Sequence, residues 1–224
     1  MPKPQGFDVH SLRNRFVDAP DSLGARKRAR RWEVFAETFP DIGSMRVIDL
    51  GGTVETWLRA PVRPVHVHVV NLEEHPPEVP DWIKAEYGDA CSLSAEILDG
   101  GYDLVYSNSV IEHVGGHAQR ARFAGAVHTL AKRHWVQTPY RYFPIEPHWL
   151  FPGFQFLPLN ARAQLARYWP LAHSRAGSAE EGLRSAMSTE LISRSEMEHY
   201  FPDSKVIGEH MAGLVKSLIA VKTS

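Results

Sequence analysis

The sequence predicts one α/β domain built on a doubly wound, mostly parallel sheet, finished by a C-terminal antiparallel hairpin and carrying a lid insertion. Three observations predict it. From about residue 45 to 137, short apolar strands alternate with helical stretches at the interval of βαβ units. The first strand, Met45-Arg46-Val47-Ile48-Asp49-Leu50, ends beside an acid and runs into Gly51-Gly52-Thr53, a glycine pair that opens a tight strand-to-helix turn. The two strands that close the chain, Lys205-Val206-Ile207-Gly208-Glu209 and Ser217-Leu218-Ile219-Ala220-Val221, are separated by a short link containing Gly213, which folds them into a hairpin at a sheet edge. At 224 residues the chain accommodates one such domain with a lid and is too short for two.

Residues 1–44 form an N-terminal helical cap. Within it, 22–39 reads as an amphipathic helix in which Trp32, Phe35, Ala36 and Phe39 share a stripe at three- and four-residue spacing. Its other face is the run Arg26-Lys27-Arg28-Ala29-Arg30-Arg31, a solvated helix face in preference to an anion patch, because the chain as a whole is not basic. Residues 45–137 form the core. After the glycine turn, which Thr53 caps, come a helical piece at 55–59 and a second strand, Val65-His66-Val67-His68-Val69-Val70-Asn71, leading into Leu72-Glu73-Glu74. A proline-rich connection spans 75–80. Tyr87-Gly88-Asp89-Ala90 closes a third strand, Tyr102-Asp103-Leu104-Val105-Tyr106-Ser107 is the fourth, 118–132 is a helix, and His134-Trp135-Val136-Gln137 is the fifth. Residues 138–195 hold a loop and lid, with helices at 160–168 and 180–186 joined by polar 173–178. Residues 196–224 hold a terminal helix, opened by a capping box on Ser193 or Ser195, and the hairpin.

Composition narrows the function. A formal net charge of −1, from 25 basic and 26 acidic residues, gives a nucleic-acid or membrane partner no global support, and a small-molecule substrate follows. The one cysteine, Cys91, excludes an internal disulfide and any cysteine-built metal site. Met1-Pro2-Lys3-Pro4-Gln5 lacks an apolar signal core and no run has the length of a membrane span, which predicts a soluble, cytoplasmic protein. The excess of arginine over lysine is the bias of a GC-rich bacterial genome.

Taken together, the order of elements and three motifs resemble a class I S-adenosylmethionine-dependent methyltransferase of the small-molecule type, a Rossmann-like fold, over about residues 46–221. Val47-Ile48-Asp49-Leu50-Gly51-Gly52 resembles the glycine-rich first motif, Gly88-Asp89-Ala90 the adenine-contacting acidic motif, and Ser107-Asn108-Ser109-Val110-Ile111-Glu112-His113-Val114 the most specific segment, following the fourth strand. The resemblance implies S-adenosyl-L-methionine as cofactor. It places Asp49, Gly51 and Gly52 at the methionine end, Asp89 and Ala90 at adenine, and Ser107 and Asn108 at the carboxyl end of the fourth strand, where open α/β sheets bind ligands. Two departures stand out. A third glycine is missing after Gly52, and Asn71 occupies the place of the usual ribose-binding acid, with Glu73 two positions on; the ribose ligand stays open between them.

The segment Pro139-Tyr140-Arg141-Tyr142-Phe143-Pro144-Ile145-Glu146-Pro147-His148-Trp149-Leu150-Phe151-Pro152 is too rich in proline for a helix. It presents an acid, an imidazole and ring faces, the materials of a substrate pocket in which Tyr140, Arg141, Tyr142 and Trp149 bind the acceptor. His148, oriented by Glu146, is the first candidate for the base and His113 the second. Glu146 and His148 with His113 or Glu112 also have the donor types for a divalent ion such as magnesium, without a diagnostic metal spacing. The expected reaction is O-methylation of a sugar or polyol. Alternatives are a lipid or polyketide-type acceptor, a cofactor-binding regulator without turnover, and a nicotinamide-dependent reductase, which calls for a fuller glycine fingerprint than this chain has.

Overall fold

The computed structural model describes residues 22–73, 78–171 and 175–224. The readings placed on the chain before Ser22, on Glu74 and His75 in the proline-rich connection, and on His173 in the lid link lie outside the described residues. The chain forms two compact units, one of Met1–Phe35 with Ile145–Met187, the other of Ala36–Pro144 with Ser188–Ser224.

The larger unit is the predicted sheet. Its strands are β1 (Arg46–Leu50), β2 (His66–Asn71), β3 (Ile83–Tyr87), β4 (Leu104–Asn108), β5 (Arg133–Pro139), β8 (Lys205–Met211) and β9 (Leu214–Lys222), in the order β3-β2-β1-β4-β5-β9-β8. The first five run parallel. β9 returns antiparallel beside β5, from Lys222 opposite His134 to Ser217 opposite Pro139, and β8 pairs with β9 at the edge. Ala212 and Gly213, both at positive φ, turn the hairpin, which is longer than predicted and carries an irregularity at Glu209/His210. Strand order reverses between β1 and β4, which opens a crevice at their carboxyl ends.

Alternation within the strands fills the two faces. Ile48, Leu50, Val70, Val105, Val136, Leu218 and Ala220 meet Phe123, Ala124 and Val127 of the helix α4 (His117–Leu130) and Met197 and Tyr200 of α7 (Arg194–Tyr200) in one core. On the other face Trp57, from α2 (Val54–Leu58), lies edge-on to Tyr106, and Phe39 lies edge-on to Trp135. A short α3 (Ala95–Leu98), capped by Ser94, precedes β4 and buries Ile97. Ser193 opens α7 with a complete capping box: its Oγ accepts from Glu196 N at 3.2 Å and its N–H donates to Glu196 Oε2 at 2.6 Å.

The smaller unit contains most of α1 (Leu23–Thr38), begun where Ser22 Oγ accepts from Ala25 N. Trp32 and Phe35 pack edge to face within it, and Arg26, Arg28 and Arg30 are exposed, Arg30 pairing with Glu33 at 2.7 Å. After residue 144 the proline-rich segment is more ordered than predicted. Strands β6 (Ile145–Glu146) and β7 (Phe151–Pro152) pair as a small hairpin around a four-residue turn that ends on Leu150 at φ 50°. Helices α5 (Leu159–Tyr168) and α6 (Ala179–Met187) follow. They pack closely through Gly182, where a Cβ would lie 2.7 Å from the Ala163 carbonyl oxygen. Among the described residues, no helix is long and apolar enough to cross a membrane.

Candidate functional site

The glycine turn leaves no room for side chains. Gly51 sits at φ +80°, and a Cβ there would meet Val110 Cγ2 at 2.5 Å; on Gly52 it would lie 1.8 Å from Asp49 Oδ2. Gly51 N donates to Val70 O at 2.7 Å, and Thr53 Oγ1 accepts from Thr56 N at 3.3 Å to cap α2. That helix points Trp57 Nε1 at Asp49 Oδ2, 2.7 Å away. Asp49 is fully buried, and its Oδ1 has no hydrogen-bond partner among the described residues. Burial pushes its pKa up to about 7 against the opposing effect of the Trp57 bond. The acid therefore lies directly against Gly52 and is not among the residues that line the crevice.

Asn71 closes β2 and spans to the same turn. Its Nδ2 donates to Gly51 O at 3.2 Å and Gly52 O at 2.8 Å, and its Oδ1 accepts from Glu73 N at 3.3 Å. Glu73 itself is exposed. At the end of β3, Gly88 leaves space beside Val70, where a Cβ would fall 2.7 Å from Cγ1. Asp89 Oδ1 accepts from Cys91 N at 2.8 Å and its carbonyl accepts from Ser92 N, so the residue closes a turn and also lines the crevice. Ala90 is buried beside it.

These residues line a crevice of about 420 Å³ together with the segment that leaves β4. Gly51, Asn71, Glu73, Asp89 and Ala90 are brought together on this crevice, with His113 also among its lining residues. Ser107 and Asn108 are not. Ser107 is fully buried and its hydroxyl donates to Leu50 O at 2.9 Å, joining β4 to the end of β1; the strand pleat turns it inward. Ser109, Val110 and Val114 line the crevice in their place. Ser109 adopts φ 59°, unusual for a residue with a side chain, and is held by Gln137, whose carbonyl accepts its N–H at 2.9 Å and whose Oε1 accepts its hydroxyl at 3.0 Å. The sequence signal for these three was their place directly after the strand.

His113 Nδ1 is 3.1 Å from Ser188 O, which makes it the protonated nitrogen of the neutral ring and leaves Nε2 as the acceptor. The expected acceptor-binding residues divide. Tyr140 and Tyr142 pack edge to face, Tyr142 being well exposed. Arg141 is taken up structurally: its Nε donates to Leu191 O at 2.7 Å and a terminal nitrogen lies 3.2 Å from Glu196 Oε2. Trp149 belongs to the core of the smaller unit, 5% exposed and stacked on Phe154 at 4.6 Å, because its rings and those of Phe151 and Trp169 need mutual burial.

In that smaller unit the four-residue hairpin turn sets Glu146 against His148. Glu146 is buried, its Oε2 accepting from Trp149 N at 2.8 Å and its Oε1 from His148 Nδ1 at 2.6 Å. The carboxylate fixes the imidazole tautomer with Nε2 as the basic nitrogen.

No family model and no curated protein matches this sequence. Solved structures match in fold. An S-adenosylmethionine dependent methyltransferase from Mesorhizobium loti is 15% identical over 85% of this chain and 96% of its own, with a TM-score of 0.54. A putative S-adenosylmethionine dependent methyltransferase from Listeria monocytogenes is 12% identical over 87% and 99%, at 0.55. The N-terminal domain of EvdMO1, solved in the presence of SAH and D-fucose, is 15% identical over 90% and 84%, at 0.53. The chain has the fold of class I S-adenosylmethionine-dependent methyltransferases.

Proposed function

We propose that the protein is an S-adenosylmethionine-dependent methyltransferase that methylates a hydroxyl of a small molecule, a sugar or polyol. The observation that carries this reading is the crevice at the β1/β4 reversal, with its glycine turn closed to any Cβ and backed by a buried acid. These residues fit the cofactor. Asp49 retains an unpaired buried oxygen behind the turn, suited to a cationic ammonium end through the turn's own dipoles or a water. Asp89 offers its second carboxylate oxygen to an adenine amino group, and buried Ala90 offers an apolar bed for the ring. When bound, S-adenosylmethionine supplies a methyl group on a positively charged sulfur that is open to in-line displacement.

The protein's own contribution is alignment and removal of the acceptor's proton. Two imidazoles have Nε2 as their basic atom. His148 is the first choice, because the Glu146 carboxylate at 2.6 Å both fixes its tautomer and stabilises the ring once it is protonated. His113 has the neutral Ser188 carbonyl at Nδ1 and is second. The sugar or polyol acceptor is supported by the fold relative EvdMO1, solved with D-fucose present, and by the Tyr140 and Tyr142 ring faces, which suit the CH faces of a pyranose.

Thermal denaturation tests the cofactor. SAH should raise the melting temperature by mass action and NAD should not; the reverse result would replace this reading with a nicotinamide enzyme. Turnover of labelled S-adenosylmethionine against a panel of sugars then tests the base. His148→Ala should lower turnover by about two to four orders of magnitude with SAH affinity unchanged. Near-normal turnover in His148→Ala with none in His113→Ala would transfer the role to His113. Turnover lost to a chelator and restored by magnesium would add a metal to the reaction.

A further inference from the structure

The segment that leaves β4 is held by one buried side chain. Gln137 is 1% exposed on β5, paired with Asn108 of β4 on one side and with Ile219 of β9 on the other, so its backbone is fixed from both flanks. It spends two groups on a single residue: its carbonyl accepts from Ser109 N at 2.9 Å and its Oε1 accepts from the Ser109 hydroxyl at 3.0 Å. Ser109 needs such a hold. At φ 59° its Cβ crowds the backbone, in a conformation that residues with side chains keep only where their surroundings impose it. Glycine would adopt the same angle freely and leave it as freely. A serine tied to a buried amide stays in one conformation.

The effect of this hold reaches the crevice. Val110, the next residue, abuts the glycine turn so closely that a Cβ on Gly51 would lie 2.5 Å from its Cγ2 and 2.8 Å from its Cγ1. Val110 O accepts from His113 N at 2.8 Å, which carries the same placement on to the residue that bears the imidazole. Ser109, Val110 and His113 all line the crevice, whereas Gln137 is not among the lining residues. A ligand there meets a wall whose position is set from β5. We propose that Gln137 is a positioning residue: it acts through Ser109 to hold the chain leaving β4 in its left-handed turn, and so fixes where Val110 closes on Gly51 and where His113 stands. The inference rests on the S-adenosylmethionine reading, because its effect is felt at that cofactor's site.

Two measurements on the full chain test the link: calorimetric titration with SAH well below the melting temperature, and amide hydrogen exchange of the ligand-free protein. Gln137→Met removes the acceptor and keeps the volume. It should weaken SAH binding by about three- to tenfold, the worth of a neutral hydrogen bond, and speed exchange at positions 109 and 113 relative to the other amides of β4 and β5. Ser109→Ala, at a half-buried position, should do the same, and it carries the test if the core variant does not fold. Ser109→Gly should bind SAH more tightly than Ser109→Ala although it removes more of the side chain, because the left-handed angle then needs no hold. For the same reason Gln137→Met should cost little further affinity in the Ser109→Gly background. An equal loss from Gln137→Met in the serine and glycine backgrounds overturns the inference. So does a Gln137→Met protein that melts lower with SAH affinity intact, which would make the residue merely structural. Ser109→Gly binding no better than Ser109→Ala overturns it as well, since the hydroxyl would then meet the ligand itself. Failure of the wild-type protein to bind SAH overturns the cofactor reading and this inference with it, whereas unchanged exchange at positions 109 and 113 in Gln137→Met and Ser109→Ala overturns this inference alone.

Discussion

Asp49 shows how one residue is set at the boundary between stability and function. It lies in a strand buried on both faces, where among the described residues Trp57 Nε1 is its hydrogen-bond donor, and burial raises its pKa to about 7. The folded protein therefore holds a proton that the unfolded chain has already released, and the stability this gives is complete below about pH 4, the unfolded value, and lost as pH rises through about 7. Asp49→Asn has no proton to lose and keeps an oxygen for Trp57. The variant free of ligand should melt higher than wild type at pH 8 by roughly 3–8 °C, where each kcal/mol is worth about 2–4 °C in a chain of this size, and the gap should close toward pH 4. Its affinity for SAH should fall, because the carboxylate that faces the turn is gone. Parallel melting curves for the two proteins across this range would show that the buried acid stays ionised.

At the scale of elements, the close approach of α5 and α6 depends on a residue that is poor for helices. Alanine at 182 would favour the isolated helix by about 1 kcal/mol. In the folded unit its Cβ would fall 2.7 Å from the Ala163 carbonyl oxygen and 3.0 Å from Arg167 Cγ, and backbone cannot yield as a flexible side chain can. Packing outweighs propensity here. Gly182→Ala should destabilise the helix pair by about 1–3 kcal/mol, the usual cost of overpacking, and limited proteolysis should then cut within residues 145–187 sooner than in wild type. Unchanged cleavage would mean that the two helices separate without cost. The β6/β7 hairpin is the other element whose importance exceeds its size: its turn is what brings Glu146 and His148 to 2.6 Å.

Across the whole molecule, the response to pH is a sum of opposed contributions. His134 on β5 is fully buried, with Nε2 2.6 Å from Ser204 Oγ and the ring against His128 and Phe201. Burial first, then the neighbouring His128 and Lys222, lowers its pKa to about 4, while Asp203 acts the other way. A histidine held below its unfolded value adds stability that is present above about pH 6.5 and is lost as pH falls through about 4. This runs opposite to Asp49 over nearly the same range, so the two partly cancel in the wild-type protein. His134→Phe should remove one of them. Urea midpoints measured between pH 7 and 4 should fall less in the variant than in wild type on acidification. A variant that loses stability in step with wild type would place the acid sensitivity elsewhere.

The sequence by itself determined the class of the fold and pointed to the carboxyl ends of the central strands as the place to look for a site. Alternation of apolar strands and helices reported a parallel sheet because strands buried on both faces must be nearly continuous in Val, Ile and Leu, as residues 47–50 and 67–70 are. The glycine pair, the Ser193 capping box and the terminal hairpin were legible for a related reason: each is a local geometry that few residue types can adopt. Tertiary structure decided what each side chain is used for. Asn71 stood open between ligand and non-ligand until its amide was seen to be spent on two carbonyls twenty and nineteen residues away. Ser107 and Trp149 read as site residues from their neighbours in sequence, yet one is turned inward by the strand pleat and the other stacks into an aromatic core, while Ser109 reaches the crevice through a backbone angle no composition reports. Local chemistry is written in local sequence, but which hydrogen bonds are already taken depends on partners that only the folded chain brings within reach.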